Sequence, residues 1–371
     1  MRTAHFDTGR TWRGGQQQVL HLARGLASRG HEAVVFAPDG PLAARARAAG
    51  LAVRRWRPLG EWDLGALAAA AAALRRLRPD VVHAHSAHAH ALAVPAARVA
   101  GVPAVVVSRR VDFAVGAHAG SRLKYALPVD RYLCISRGVR DVMRAGGVPE
   151  ARLALVPSGV EIPDAAALAR EAAGAPDLRA LIGAPPGAEV VGTVAALAPH
   201  KDHATLLEAA ARVVAARPGA RFAWLGEGEC RAALERRRAA LGLEGAVHLL
   251  GFRPDARALM SQFSVFALSS RLEGLCTSLL DAGARGVPIV ATAVGGVPDI
   301  VRDGVSGRLV PPADPAALAA AILEALADPA GAAARAAAQR EAVAAFSVEA
   351  LVENTLRVYH EVLEERGRSG R

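Results

Sequence analysis

Residues 269–299 read SSRLEGLCTSLLDAGARGVPIVATAVGGVPD, and this stretch predicts the fold of the second half of the chain. The apolar run before it ends in two serines, as a buried strand does where it reaches a loop. Thr277 and Ser278 are candidate N-caps for a helical pattern that ends at Gly286. The apolar run that follows predicts another strand, so the stretch predicts a strand, a loop, a helix and a strand.

Two carboxylates lie on either side of the predicted start of this helix. A helix N-terminus collects unpaired N–H groups and the positive end of the helix dipole, so it suits a diphosphate. Glu273 precedes that start, and Asp281 lies about one turn, roughly 5 Å, beyond it. Because carboxylates repel a phosphate, we expect both to contact neutral hydroxyl groups. A nucleotide sugar has this layout, with sugar hydroxyls, a diphosphate and ribose hydroxyls in order.

The spacing Glu273-x7-Asp281 resembles the E-x7-E signature of the retaining glycosyltransferases of family 4 (glycosyl transferases group 1), which have the GT-B fold. The resemblance extends to the flanking serines, to GVPIVAT and to GGVPD. It implies that Glu273 meets the donor sugar and that Asp281 binds the ribose. Asp281 is one methylene shorter than glutamate, so its ribose contact would be shifted or water-mediated. The resemblance also places the donor diphosphate against the backbone of Gly274, Leu275, Cys276 and Thr277.

The expected fold is α/β: GT-B, two doubly wound Rossmann-like domains facing across a cleft. A length of 371 residues favours two domains, and strand, loop and helix patterns recur in both halves. We predict a first, acceptor-side domain over 1–163 and a nucleotide-sugar-binding domain over 164–346. A final helix in 347–371 is expected to pack back on the first domain. Residues 301–312 are predicted to form a turn-rich hairpin.

Four histidines follow or lie on one predicted strand of the first domain: His83, His85, His88 and His90. Alternate residues of a strand share a face, so the cluster suits zinc in principle, but no cysteine or carboxylate group accompanies it. We therefore expect no metal. The resemblance instead assigns His85 to the catalytic cleft.

Two other features of the first domain are candidates for binding. Gly14 and Gly15 form a turn before a helix and resemble the family's N-terminal glycine loop, which lies near the acceptor and the donor diphosphate. Arg109 and Arg110 end a predicted strand, where they are placed to bind a phosphate or an acidic sugar of the acceptor. Many relatives have a histidine near these arginines. A solvated surface charge pair is the alternative interpretation of the arginines.

In the second domain, Lys201 is unusual because the chain has only two lysines among 45 basic residues. A compact ammonium suits a diphosphate, and Lys201 matches the family's loop lysine, which stabilises the departing diphosphate. The arginine that often lies five residues earlier is Ala196 here. The Gly226 turn is a donor-binding candidate. Phe252 and Arg253, at the end of a predicted strand, resemble the segment that recognises the nucleobase in the family.

Charge is uneven along the chain. Residues 1–163 carry 23 Lys and Arg against 11 Asp and Glu, a net charge of +12, whereas the remainder carries −2. The basic half suggests an anionic partner, for which a lipid-linked acceptor or an anionic membrane surface are candidates. A solvated, arginine-rich surface is equally compatible. No nucleic-acid partner is expected, because the basic residues are not interleaved with aromatic residues.

We expect a cytoplasmic protein, peripheral on the inner face of the membrane at most. Three widely spaced cysteines indicate a reducing compartment, and neither a signal peptide nor an apolar stretch long enough to span a bilayer is evident.

The function that the resemblance implies is transfer of a sugar, with retention, from a nucleotide-diphosphate donor to a hydroxyl of a glycan, lipid-linked or small-molecule acceptor, without cofactor or metal. Lys201, Glu273 and His85 would be the catalytic residues. A nucleotide-sugar epimerase of the same fold and a non-catalytic sugar-nucleotide or phosphoglycan binding module are the alternatives, since fold alone does not separate them.

Overall fold

The structure, a computed structural model, describes residues 1–113, 115 and 119–369, and the chain divides into two compact units. The first unit comprises Met1–Gly159 and Phe346–Arg371, and the second comprises Val160–Ala345.

The first unit is built on a parallel sheet of seven strands in the order β3-β2-β1-β4-β5-β6-β7. Its strands are β1 Arg2–Phe6, β2 Glu32–Ala37, β3 Ala52–Arg55, β4 Val81–Ala84, β5 Ala104–Arg109, β6 Arg131–Cys134 and β7 Leu153–Leu155. Its helices up to β7 are α1 Gly14–Ala27, α2 Pro41–Ala48, α3 Leu64–Leu77, α4 Ala87–Val99, α5 Ala119–Ala126 and α6 Arg137–Ala145. The central strands are short apolar runs, as expected where both faces of a parallel sheet are covered.

The second unit has a parallel sheet of six strands in the order β10-β9-β8-β11-β12-β13. Its strands are β8 Val190–Val194, β9 Arg221–Leu225, β10 Val247–Gly251, β11 Val265–Leu268, β12 Ile289–Thr292 and β13 Arg308–Val310. Its helices are α7 Ala165–Gly174, α8 Leu178–Leu181, α9 His203–Ala216, α10 Arg231–Ala240, α11 Ala256–Met260, α12 Thr277–Ala284, α13 Val297–Ile300, α14 Pro315–Ala327 and α15 Pro329–Ala342. A short 3-10 turn, Pro199–Lys201, precedes α9.

The C-terminal helix, α16 (Val348–Ser369), packs on α1 in the first unit. The two helices approach closely at Gly25, where a Cβ atom would lie 2.3 Å from Cγ2 of Val352. Val352 and Tyr359 are fully buried in the core that α1 and α16 share with the sheet. Glycine at position 25 is therefore required by helix packing.

The predicted fold class, two doubly wound α/β Rossmann-like domains, is confirmed by these two parallel sheets. The hairpin predicted over 301–312 is wrong, because β13 pairs in parallel with β12 at the sheet edge. The turn itself exists: Gly304 has φ +71° and its N–H donates to the carbonyl of Gly307. A local turn pattern does not reveal which strand the next residues will join.

Each sheet has one point at which the strand order reverses. In the first unit it lies between β1 and β4, and in the second between β8 and β11. In open α/β sheets, ligands bind outside the carboxyl ends of the strands at such a point. The loops that follow these four strands are therefore where a site is expected in each unit.

Within the described residues, no single helix is long and apolar enough to cross a membrane. In the part of the chain that the structure describes, one bent pair of helices, Pro315–Ala327 and Pro329–Phe346 with 102° between them, reaches the required length and apolar composition.

Candidate functional site

In the second unit, Lys201 and Glu273 meet at the switch point of the sheet. Lys201 follows β8 and Glu273 follows β11, and these strands are neighbours although the residues are 72 positions apart. Lys201 Nζ lies 2.5 Å from Glu273 Oε1. The side chains are only 16% and 7% exposed, so water screens this ion pair weakly.

Hydrogen bonds hold both residues of the pair in place. Ser270 Oγ donates to Glu273 Oε1 at 2.7 Å, and Gly296 N–H donates to the Glu273 carbonyl at 3.0 Å. Ser269 Oγ lies 3.0 Å from the Lys201 carbonyl, to which it donates. Ser269 thus connects the end of the β11 run to the loop that carries Lys201, and Ser270 holds Glu273 within its own loop.

Asp202 adds a second connection between these loops. It adopts a left-handed conformation, φ 47°, and its side chain caps α9 by accepting from Thr205. Its Oδ2 lies 2.6 Å from Nε of Arg271, on the loop after β11. The sequence analysis did not select Asp202, although an aspartate three residues before Thr205 at a helix start is a capping signal.

The helix that follows Glu273 begins without a side-chain cap. Cys276 is the N-cap residue and makes no capping hydrogen bond, so the prediction that Thr277 or Ser278 caps α12 is wrong. Both residues already lie in the first turn, where a hydroxyl cannot reach the exposed N–H groups that a cap serves. Cys276 is 3% exposed, and burial raises the pKa of its thiol to about 11. An uncapped helix start preceded by Gly274 and Leu275 suits an anion.

Asp281 lies on the second turn of α12, against two arginines. Its Oδ1 is 3.3 Å from Arg257 Nε and 3.9 Å from Arg285 Nη1. This oxygen is buried without a hydrogen-bond partner among the described residues. Burial raises the pKa of Asp281, and the two arginines oppose that shift. The carboxylate therefore keeps acceptor capacity, which the predicted ribose contact would use.

The Gly226 turn after β9 packs against the loop that leads to Lys201. Gly226 has φ +153°, and a Cβ atom there would lie 1.9 Å from the carbonyl oxygen of Ala195. Glycine is required by this contact. At the end of β10, Phe252 is 72% exposed, and Arg253 is bound to Asp255 by two hydrogen bonds of 2.8 and 2.5 Å.

In the first unit, the glycine turn forms the start of α1. Gly14 is the first helical residue, and the N-cap, Arg13, makes no capping hydrogen bond. A Cβ atom on Gly15 would meet nothing within 4 Å, so no contact in the structure requires glycine there.

Three histidines lie together at the β1–β4 switch point: His5, His83 and His85. Their nearest ring nitrogens all lie within 4.8 Å of one another. His5 Nδ1 is 3.1 Å from His85 Nε2, and His83 contacts the hydroxyls of Tyr359 and Ser108 at 2.7 and 2.8 Å. Burial lowers the pKa of all three, to about 3 for His5 and well below 6.5 for the others. At neutral pH all three imidazoles are therefore neutral, the form in which a ring nitrogen can accept a hydrogen bond or coordinate a metal.

The sequence analysis missed His5. It lies on β1 in register with His83 of β4, so it shares the face that carries His83 and His85. Its only sequence signal is its place in a short apolar strand. Of the predicted histidines, His88 is exposed on α4, and His90 is buried against Tyr125 and Tyr132.

Arg109 ends β5, and Arg110 follows it, close to His85. Arg109 donates to the Tyr125 hydroxyl at 2.8 Å and to the carbonyl of Phe113 at 2.5 Å. Arg110 contacts Ser158 Oγ at 3.4 Å. The Nε atoms of both arginines are buried without hydrogen-bond partners within the described residues. His85 and both arginines line one cavity of about 170 Å³.

Comparison with family models identifies both halves of the chain. Residues 12–162 match the model described as Glycosyltransferase Family 4, and residues 188–328 match the model described as Glycosyl transferases group 1.

The curated relatives of the chain are named as glycosyltransferases. The 2-deoxystreptamine N-acetyl-D-glucosaminyltransferase of Streptomyces fradiae is 32% identical over 352 residues, which cover 85% of this chain and 83% of that protein. The lipopolysaccharide core biosynthesis glycosyltransferase LpsE of Rhizobium meliloti is 35% identical over 40% of this chain and 43% of its own length. A D-inositol 3-phosphate glycosyltransferase of Geodermatophilus obscurus is 35% identical over 59% of this chain and 49% of its own. The chain thus spans less than half the length of two of these three relatives.

Among solved structures, Anabaena Alr3699/HepE in complex with UDP-glucose has a TM-score of 0.83 at 21% identity, over 97% of this chain and 100% of that one. At this identity the likeness shows the fold alone. With two Rossmann-like units, a Glu273-x7-Asp281 motif and a relative that is 32% identical over 85% of the chain, the chain belongs to the family 4 glycosyltransferases (glycosyl transferases group 1) and is a glycosyltransferase of GT-B fold.

Proposed function

We propose that this glycosyltransferase retains the anomeric configuration of a nucleotide-diphosphate sugar and acts without a metal ion. The observation that carries the proposal is the buried Lys201–Glu273 pair, which lies at the switch point of the second sheet, one loop before the uncapped start of α12. A cation and exposed N–H groups at one place suit a diphosphate, and a neighbouring carboxylate suits sugar hydroxyls.

Lys201 would serve the departing diphosphate. In the unliganded protein its charge is balanced by Glu273, whereas a bound diphosphate offers a stronger counter-charge. As the bond between the anomeric carbon and the phosphate oxygen breaks, negative charge grows on that oxygen. Lys201 and the first N–H groups of α12 stabilise it, which lowers the barrier because the interaction strengthens in the transition state.

The acceptor oxygen would attack the anomeric carbon from the face that the diphosphate leaves. Its proton passes to the departing phosphate oxygen, so the step needs no protein nucleophile. Burial keeps the pKa of His85 well below 6.5, so at neutral pH its imidazole is neutral and orients hydroxyl groups without holding an extra proton.

A uridine nucleotide is the first candidate for the donor, because Anabaena Alr3699/HepE, which has a similar fold, was solved in complex with UDP-glucose. Asp281 would bind the ribose, and exposed Phe252 would stack on the base. The relatives' names include lipopolysaccharide core and D-inositol 3-phosphate, so glycan, lipid-linked and small polyol acceptors are all candidates. With +12 over residues 1–163, a cytoplasmic protein that binds reversibly to anionic membranes fits this acceptor range.

The test begins with a thermal-shift screen of nucleotide sugars. A ligand at 100 times its dissociation constant stabilises by about 2.7 kcal/mol, which gives a clear shift. Release of nucleoside diphosphate is then measured with and without acceptor. Release only with acceptor supports transfer, whereas isomerised donor without acceptor, or binding without turnover, contradicts it.

Two further readouts test the mechanism. NMR coupling constants of the product's anomeric proton should show the donor's configuration, and an inverted product contradicts retention. Turnover should be unchanged by EDTA or 1,10-phenanthroline. A loss that Zn²⁺ or Mg²⁺ restores would contradict metal independence and would direct attention to His5, His83 and His85.

A further inference from the structure

The cavity at the carboxyl ends of β4 and β5 has an unusual charge. Its walls carry Arg109, Arg110 and Lys124, and no carboxylate belongs to its described lining. Lys124 is balanced by Glu61 at 2.7 Å. Neither arginine forms an ion pair with a carboxylate anywhere in the described residues, so two positive charges at the cavity lack a contacting counter-charge.

Arg110 is the less strongly hydrogen-bonded of the two arginines, since its contact with Ser158 Oγ is 3.4 Å long. Burial lowers its pKa to about 10, so it stays charged at neutral pH although it is partly removed from water. Asp7 has the largest opposing effect on this pKa, and its carboxylate accepts from the N–H of Gly9 and the amide of Gln16 at 2.7 and 2.9 Å. A charged guanidinium held in this way without an ion-pair partner is costly unless a ligand supplies the anion.

Other donors face the same space. His85 is 5% exposed and its Nδ1 has no hydrogen-bond partner among described residues. Ser86 and Ala87, at the start of the 13-residue helix α4, also line the cavity, and Ser86 makes no capping hydrogen bond there. The positive end of α4 therefore adds to the arginines.

The remaining wall is aromatic. Tyr125, Tyr132 and His90 have ring centroids 5.4 to 5.9 Å from one another. Such rings pack well against the C–H faces of a sugar or polyol. A volume of about 170 Å³ accommodates a phosphate group and part of the sugar or polyol ring that carries it.

We propose that this cavity binds the phosphate group of a phosphorylated sugar or polyol acceptor, with Arg109 and Arg110 on the phosphate oxygens and His85 donating or accepting beside them. The inference rests on the proposed function, because it assigns this site to the acceptor. Its two possible sources, a soluble sugar phosphate and a phospholipid headgroup, share this chemistry.

The direct experiment is a titration of inorganic phosphate into the protein at constant ionic strength, monitored by calorimetry or by thermal shift. Saturating UDP is added so that the groups that bind a diphosphate elsewhere in the protein are already occupied. Arg110→Gln should raise the phosphate dissociation constant at least tenfold. Arg54→Gln on the exposed edge strand β3 removes the same charge and should change it less than twofold. Arg109→Gln is the second variant, should Arg110→Gln fail to fold. The affinity for UDP should be the same in all three variants as in the wild type, which would show that the donor site is intact.

The second experiment uses transfer. myo-Inositol and its monophosphate are compared as acceptors, and phosphatidylinositol in phosphatidylcholine vesicles is the lipid arm. We expect KM for a phosphorylated acceptor to rise tenfold or more in Arg110→Gln, with kcat changed less. A preference for either phosphorylated acceptor over myo-inositol supports the site. Which of the two is preferred, the soluble monophosphate or the lipid, identifies the source of the phosphate.

The inference is overturned if Arg110→Gln and Arg109→Gln bind phosphate like the wild type, or if phosphorylated and unphosphorylated acceptors react alike in wild type and variants. In that second case transfer itself still stands. Arginine-dependent phosphate binding in a protein that transfers sugar to no acceptor would instead keep the site and contradict the proposed function.

Discussion

Replacing Lys201 by methionine separates its structural role from its catalytic role. The variant keeps the aliphatic length but leaves Glu273, 7% exposed, without its cation. Breaking a buried ion pair by removing one partner typically costs 3–5 kcal/mol, and the 16% exposure of Lys201 puts the expected loss at about 3 kcal/mol. A domain stable by 5–15 kcal/mol would survive this loss, so activity remains measurable.

Turnover should fall much further than this stability loss explains. Removal of one group that stabilises a developing charge costs on the order of a hundredfold or more in kcat. Binding supplies a second signature: the wild type should bind UDP better than UMP, and Lys201→Met should lose most of that difference. Both quantities are measured at a temperature where urea unfolding shows the variant to be folded.

The double variant Lys201→Met/Glu273→Gln is the decisive comparison. Neutralising both partners removes the uncompensated charge, so its free energy of unfolding should return to within about 1 kcal/mol of the wild type. Its turnover should stay at least a hundredfold low. Arg271→Met is the matched control, because it removes a cation from the neighbouring ion pair with Asp202, where the arginine is 58% exposed and the expected cost is about 1 kcal/mol or less.

Two results would refute this reasoning. If Lys201→Met unfolds like the wild type, the pair contributes nothing to stability and the burial argument fails. If the double variant turns over at a near-normal rate, neither residue belongs to the mechanism, whatever the stability data show.

Three further predictions address other parts of the chain. Asp281→Ala should weaken UDP binding by about 1.5–3 kcal/mol and Asp281→Glu should not, whereas normal affinity in a folded Asp281→Ala protein would rule out the ribose contact. His90 has a folded-state pKa of about 3, below its unfolded value of 6.5, so its stabilisation is complete above pH 6.5 and declines below it. Between pH 7.5 and 5.5 this one residue should lower the free energy of unfolding by about 1.4 kcal/mol. In urea titrations, the free energy of unfolding should fall less over this pH range in His90→Gln than in the wild type. In the exposed control His88→Gln it should fall as much as in the wild type. The basic residues of 1–163 should bind anionic vesicles at low salt and release them at high salt in co-sedimentation, and equal binding to neutral vesicles would point to a soluble acceptor.

Local sequence patterns predicted the individual elements well where periodicity was strong. The alanine-rich runs Leu64–Leu77 and Ala165–Gly174 form helices, and Ser136 caps α6 because its Oγ accepts from the N–H of Val139 at 3.1 Å. These features depend on residues within a few positions of one another. The cap of α12 was predicted wrongly because the residue at which this helix starts depends on how the preceding loop packs. Residue preferences alone favour the hydroxyls of Thr277 and Ser278 over Cys276.

What the sequence could not supply is strand adjacency. Lys201 and Glu273 were each predicted to bind a ligand, but their contact with each other follows from β8 lying beside β11. His5 was missed because its proximity to His83 and His85 follows from β1 lying beside β4 in a register that pairs His5 with His83. The hairpin error has this cause too: the turn pattern predicted that 308–310 would fold back on the residues just before it, whereas β13 pairs in parallel with β12.

Contacts made through neighbouring strands also distinguish Lys201 from Arg110. Lys201 has an internal counter-charge in Glu273, so part of its attraction for a ligand is offset in the ground state and recovered as charge builds on a leaving group. Arg110 has no carboxylate in contact among the described residues, so its full attraction is available to a bound anion before any reaction. A paired cation suits a transition-state role, and an unpaired one suits substrate binding. Loss of Lys201 should therefore appear mainly in kcat, and loss of Arg110 mainly in KM for the acceptor.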